Sequence, residues 1–159
     1  MARRKRAARR RKEEYCSFIV EVTESELTYS IMLNEGRKYD PGPYTEFLHL
    51  EIKGVLVHPA KYAGKTLDAT IIGDRDMVPR PDDPSLPERK PIGVGGITLR
   101  GENRQYLGSV PFDVLPTVAS MLESKHAKFI DLHGPSPYHG HATIRSMRFF
   151  RECDPDDYE

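Results

Sequence analysis

The sequence predicts a mainly β protein, an antiparallel β-sandwich or partly open barrel of about eight strands with one α-helix. Three observations predict it. Apolar and polar residues alternate with period two along most of the chain, as a sheet with one buried face requires. Clusters of Gly, Pro, Asn and Asp punctuate those runs at short intervals. Helical spacing is carried by a single window, DVLPTVASMLESK at 113–125, so the chain lacks the alternating helices that a parallel βαβ sheet needs.

The elements follow in order. CSFIVEVT sets Phe18, Val20 and Val22 on one side, and LTYSIML does the same with Tyr29, Ile31 and Leu33. The polar TESE at 23–26 between them predicts a hairpin turn. NEGRKYDPGP, 34–43, is a turn-rich loop. FLHLEIKGVLV alternates Leu48, Leu50 and Ile52 against His49, Glu51 and Lys53, until Gly54 signals a bulge or bend. KTLDATII turns Leu67, Ala69 and Ile71 inward. Strands near GGITLR and RQYLGSV flank a tight GEN turn. In the helix, Asp113 is the expected N-cap, Pro116 falls in the first turn where a missing N–H costs little, and Leu115, Val118 and Leu122 form the apolar stripe. Lys125 and His126 suit the helix C-terminus, where cations are favoured. KFIDLHG is a strand, and HATIRSMRFFRE is read as a strand rather than a helix because of β-branched Thr143 and Ile144 and the tandem Phe149–Phe150. Leu48, Leu50, Ile52, Leu67, Ile71, Ile130 and Leu132 are the expected core.

The domain organisation is a basic arm at 1–12, one β-rich globular domain at 13–152 with a proline-rich loop near 74–92, and an acidic tail at 153–159. A 38% apolar and 30% charged composition suits a soluble domain. No apolar run approaches the ~18 residues that span a bilayer, and no apolar segment follows the basic start, so neither membrane contact nor a secretory signal is expected. The cysteines, Cys16 and Cys153, fit two free thiols in a reducing cytoplasm, although two strand-borne cysteines would pair in an oxidising compartment.

The formal net charge of zero conceals a strong separation. Arg3, Arg4, Lys5, Arg6, Arg9, Arg10, Arg11 and Lys12 place eight cations in MARRKRAARRRK with no acid, leaving 16 basic against 24 acidic side chains over 13–159. Such a run has nothing large and apolar to bury and repels itself, so it is expected to lack fixed structure alone. Its natural partner is nucleic acid or another polyanion, whose phosphates it neutralises without reading bases. The chain's own acidic body is the competing partner, and a nuclear-import signal is the third reading of such a run.

Other signals are sparser. PxxP spacings at Pro81/Pro84 and Pro84/Pro87 suit an extended segment of the kind a protein partner reads, although acids occupy the first. GVGG at 93–96 is not a phosphate loop, since no Lys-Ser/Thr pair follows and a strand rather than a helix comes next, so no cofactor is expected. Neither cysteine has the basic neighbours that activate a thiol. His49 and Glu51 form a polar pair on the outward phase of their strand, and His58 precedes Pro59 in a loop.

HGPSPYHGH, 133–141, is the densest chemistry in the chain. If 127–133 and 139–150 form a hairpin, Asp131, His133, His139 and His141 share one end of a sheet face, a donor set that suits a divalent transition metal. Arg145, four residues after His141, opposes a cation there, and the glycines and prolines are what a turn requires anyway. The turn is therefore preferred to a metal site. The functional expectation is a non-enzymatic binding or assembly module with a polyanion-contacting arm. A metal-dependent enzyme built on the 133–141 hairpin is the alternative, and a coat-like assembly protein the third.

Overall fold

The computed structural model describes residues 13–34, 42–77 and 93–158. The arm at 1–12, the segment 35–41 and most of the proline-rich loop, 78–92, lie outside the described residues. The described residues form eight strands: β1 (Tyr15–Leu33), β2 (Tyr44–His58), β3 (Thr66–Asp74), β4 (Gly95–Thr98), β5 (Gln105–Pro111), β6 (Phe129–Pro135), β7 (His141–Ile144) and β8 (Ser146–Phe150). One helix, α1 (Leu115–Glu123), follows β5 through a 3-10 turn, Phe112–Val114. The strands form one sheet in the order β7-β4-β5-β3-β2-β1-β6-β8, nearly closed into a barrel. No helix among the described residues is long and apolar enough to cross a membrane.

The predicted core is found. Leu48, Leu50, Ile52, Leu67, Ile71, Ile130 and Leu132 are all buried in one cluster with Phe18, Tyr106 and Ile144. Helix α1 lies against β1, β2 and β3 and adds Leu115, Val118 and Leu122 to that cluster. Asp113 does not cap it. It sits inside the 3-10 turn, the N-cap is Val114, and no side chain caps the end. Pro at the start of the helix has already removed one of the N–H groups a cap would satisfy.

TESE is not a turn. β1 runs without a break from Tyr15 to Leu33, and the hairpin partner of its outer half is β2. Register shifts between Val22↔Gly54 and Glu24↔Lys53, leaving Thr23 as the extra residue of a bulge, and its Oγ1 donates to the Lys53 carbonyl at 3.0 Å. One extra residue flips the side-chain phase, so the face that carries Phe18, Val20 and Val22 is continued by Leu27, Tyr29, Ile31 and Leu33, which are exposed. A second shift, between Ile19↔His58 and Val20↔Leu56, leaves Val57 extra on β2. Gly54 is where the two strands crowd. A Cβ there would lie 2.5 Å from Val20 Cγ1 and 2.6 Å from the Glu21 carbonyl oxygen. Paired bulges and this close approach curl two long strands into the barrel wall.

The sheet is mixed, because β3 and β5 run parallel. The chain leaves β3, skips one strand position to lay down β4, and then returns through 99–104 to place β5 between them. The packing of that insertion accounts for Gly95 of GVGG and for Gly108. Tyr106 is buried, its hydroxyl donates to the Val94 carbonyl at 3.2 Å, and Cβ atoms on Gly95 or Gly108 would come within 2.5 and 2.1 Å of that hydroxyl.

HATIRSMRFF is extended as predicted, but it is two strands split at Arg145. β7 pairs with β4 on one edge of the sheet, and β8 pairs with β6 on the other. The Arg145 N–H donates to the His133 carbonyl at 2.8 Å. The stretch 141–150 thereby steps from one sheet edge to the other and draws the barrel together.

Candidate nucleic-acid interface

The eight arm cations, Arg3 to Lys12, lie outside the described residues, but the place where the arm joins the body does not. Glu14 and Tyr15 are fastened to the HGPSPYHGH stretch, and Glu13 and Tyr15 to Arg145 just beyond it. The Ser136 N–H donates to the Glu14 carbonyl at 2.8 Å, and Arg145 Nη2 lies 3.4 Å from Glu13 Oε2. Arg145 also donates to the Tyr15 hydroxyl, with its guanidinium 5.3 Å from the Tyr15 ring centre. Tyr15 in turn stacks on His133, with centroids 5.5 Å apart and planes 19° off parallel, and Ser17 Oγ holds His133 Nδ1 at 2.9 Å.

Beyond β6 the stretch closes as a two-residue turn. Tyr138 N–H donates to the His141 carbonyl at 2.8 Å and His141 N–H to the Tyr138 carbonyl at 3.1 Å. His139 at φ +50° and Gly140 at φ +81° are both left-handed, which is the geometry that matches the twist of a hairpin. The turn seats against Arg100. Leu99 N–H donates to the Gly140 carbonyl at 2.7 Å, and a Cβ on Gly140 would lie 2.5 Å from Arg100 Cγ. Tyr138 stands 76% exposed at the tip, its ring edge-on to His139 at 4.1 Å. Glu13, Pro135, Tyr138, His141, Thr143 and Arg145 line one open cleft. Arg100, Tyr15 and Tyr138 were missing from the sequence reading as site residues. Tyr138 lay in plain view inside HGPSPYHGH, whereas Arg100 reaches the turn only through the β4–β7 pairing, which no local pattern encodes.

The four proposed metal donors do not converge. Asp131 is paired with Arg148 across β6–β8, with Oδ2 3.4 Å from Nη2. His133 faces Ser17, and His141 Nδ1 lies 3.1 Å from Thr98 Oγ1 on the opposite sheet edge. His139 is in the left-handed turn, so the same-side rule for residues two apart on an extended chain does not apply to it. The hairpin between 127–133 and 139–150 forms only from Ser146 onward, where β8 pairs with β6, whereas 141–144 pairs with β4 and carries His141 to the opposite edge. Among the described residues no three His, Cys, Asp or Glu side chains gather.

The remaining candidates are distributed over the barrel wall. His49 Nε2 lies 3.7 Å from Glu51 Oε1 on the outward phase of β2. His126 Nδ1 meets Ser124 Oγ at 2.7 Å just past α1, where Lys125 is left-handed. The acidic C-terminal segment forms a 3-10 turn, Pro155–Tyr158, that docks on the outer face. There Tyr158 packs on His58 with centroids 5.6 Å apart and accepts a hydrogen bond from Arg148 Nη2 at 2.7 Å. Asp131 Oδ1 is buried in this region and has no hydrogen-bond partner among the described residues. Both cysteines are free thiols. Burial, and then the Asp131 carboxylate, push the Cys16 thiol above its ordinary value. Cys153 is pushed up by burial and by Asp154, Asp157 and Asp131. Raised values oppose nucleophilic use of either thiol.

Comparison of the chain with protein-family models, with curated proteins and with solved structures returns no match.

Proposed function

We propose that the protein is a non-enzymatic binding or assembly module whose basic arm and adjoining turn together contact nucleic acid. The observation that carries this reading is the junction itself: the arm root at Glu13–Tyr15 is bonded to Ser136 and Arg145, next to the turn that exposes Tyr138 and packs against Arg100. Arg3, Arg4, Lys5, Arg6, Arg9, Arg10, Arg11 and Lys12 supply phosphate contacts without base readout. An exposed tyrosine beside cationic side chains supplies a surface on which an unpaired base stacks, a contact worth about 1–3 kcal/mol in single-strand binders. The reading keeps the protein in a reducing cytoplasm, which the free Cys16 and Cys153 suit.

The test is fluorescence anisotropy with labelled single-stranded RNA and duplex DNA across a salt series. Eight phosphate contacts on duplex give a slope of log affinity against log salt of about −7, at roughly 0.9 per contact. Deleting residues 1–12 should remove most of the binding and flatten the slope. Tyr138→Ala should weaken single-stranded RNA more than duplex DNA. Affinity indifferent to salt and to the deletion removes the reading.

A further inference from the structure

The outer half of β1 is an open strand edge. β6 covers β1 only from Tyr15 to Glu21, so from Glu24 to Leu33 the strand has β2 on one side and no partner on the other among the described residues. β3 joins β2 only as far as His49, so beyond Thr28 the β1–β2 pair projects from the barrel as a two-stranded ribbon. This ribbon is apolar where water reaches it. Leu27, Tyr29, Ile31, Met32 and Leu33 are all exposed, at 39–55% of their surface.

The direction of the unused backbone groups follows from one hydrogen bond. Asn34 N–H donates to the Pro43 carbonyl at 2.8 Å, in the register that pairs Leu33 with Tyr44. Antiparallel pairs alternate between hydrogen-bonded and non-bonded, so the even residues of β1 bond to β2. Ser25, Leu27, Tyr29, Ile31 and Leu33 therefore aim their N–H and C=O groups at the open side.

We propose that this edge pairs antiparallel with the same edge of a second copy, about a two-fold axis at Tyr29. That register sets Leu27 opposite Ile31 of the second copy and Ser25 opposite its Leu33, with the bonded groups of both strands facing each other. It also sets Glu26 opposite Met32 and Glu24 opposite Asn34, so no carboxylate meets a carboxylate. Moving the axis to Ser25 would set Glu24 against Glu26, a like-charge pair that disfavours that register. A half-exposed large side chain offers on the order of 100 Å². Five from each copy approach the ~1,000 Å² that a specific interface needs, before the backbone is counted. A two-stranded ribbon is marginal alone, and pairing makes it the half of a four-stranded sheet. The occupant is a second copy because the edge is its own complement in side-chain pairing, charge and bonding phase.

The experiment is light scattering coupled to size exclusion on the full chain, over a concentration series. The expected mass is twice the 18.1 kDa of one chain. Ile31→Pro deletes an outward-facing N–H without removing a β1–β2 bond, and Ile31→Thr removes apolar surface while keeping that N–H. Proline should weaken the dimer at least tenfold more than threonine, with both variants showing the wild-type far-ultraviolet circular dichroism. A wild-type chain that stays monomeric up to about 100 μM, some hundredfold above a micromolar constant, overturns the proposal, as it would if a segment of the same chain covered the edge. A dimer equally affected, or unaffected, by the two substitutions overturns edge pairing as well.

Discussion

Leu50→Ala measures the strand phases most directly. Leu50 is wholly buried near the middle of β2, flanked in the core by Leu48 and Ile52 on its own strand and facing Ile71 across the β3 ladder. Truncation removes three carbon groups at about 0.8 kcal/mol each, roughly 2.4 kcal/mol of transfer free energy. Incomplete collapse adds about 24 cal/mol per Å³ of residual cavity, bringing the total to roughly 3–4 kcal/mol. Leu107 is the control. It lies on the outward phase of β5 and is 57% exposed, so Leu107→Ala should stay within about 0.5 kcal/mol of wild type. The chain has no tryptophan, so urea unfolding is followed by far-ultraviolet circular dichroism and tyrosine emission. At about 2 kcal/mol per molar urea the Leu50 midpoint falls by roughly 1.5–2 M with an unchanged slope. Equal shifts for the two variants, or a loss below about 1 kcal/mol at Leu50, would refute the assigned phases.

Three further outcomes are expected. Tyr106→Phe removes one buried hydroxyl bond, but the Val94 carbonyl keeps its bond from Ser109 N–H, so the cost is about 0.5–1.5 kcal/mol by chemical denaturation; a loss above about 3 kcal/mol contradicts this accounting. Gly140→Ala, at φ +81° against Arg100, should cost about 1–2 kcal/mol, whereas His139→Asn at φ +50° should be neutral or slightly stabilising; reversed signs in thermal melts would count against the turn geometry. For Cys16, the folded state holds the thiol proton more tightly than the unfolded state does. Its contribution to stability is full below the ordinary thiol value and is lost as pH rises through the raised one. Iodoacetamide should therefore react more slowly at pH 8 with native than with unfolded protein, and Asp131→Asn should speed the native reaction; identical rates for all three would dispose of both causes.

What could be read locally was legible, and what depended on distant pairing was not. Period-two alternation located the inward faces of β2, β3 and β6 correctly because each is set by two or three neighbouring residues. The phase change between Val22 and Tyr29 was also visible, but a bulge and a turn both produce it. The absence of Gly, Asn or Pro from TESE was the signal for a bulge, since tight hairpin turns demand left-handed residues. The parallel β3–β5 pair depends on a skipped strand position and left no local trace. The same blindness explains the metal reading. Asp131, His133, His139 and His141 were grouped by assuming that one strand followed the turn, whereas the break at Arg145 sends the two halves to opposite edges. The link between the basic arm and the 133–141 turn rests on a hydrogen bond between Glu14 and Ser136, over a sequence distance that no window spans.

The edge-to-edge stretch at 141–150 also has a kinetic consequence. Its β7 half completes a ladder with residues 95–98, and its β8 half one with 129–133, so both ladders wait on the synthesis of residues 141–150. Until then β4 and β6 each present an unpaired margin on a half-curled sheet. Non-local pairings of this kind form slowly, and open margins invite association with other nascent chains. The time between synthesis of Phe129 and synthesis of Phe150 is therefore the interval in which this fold most needs protection.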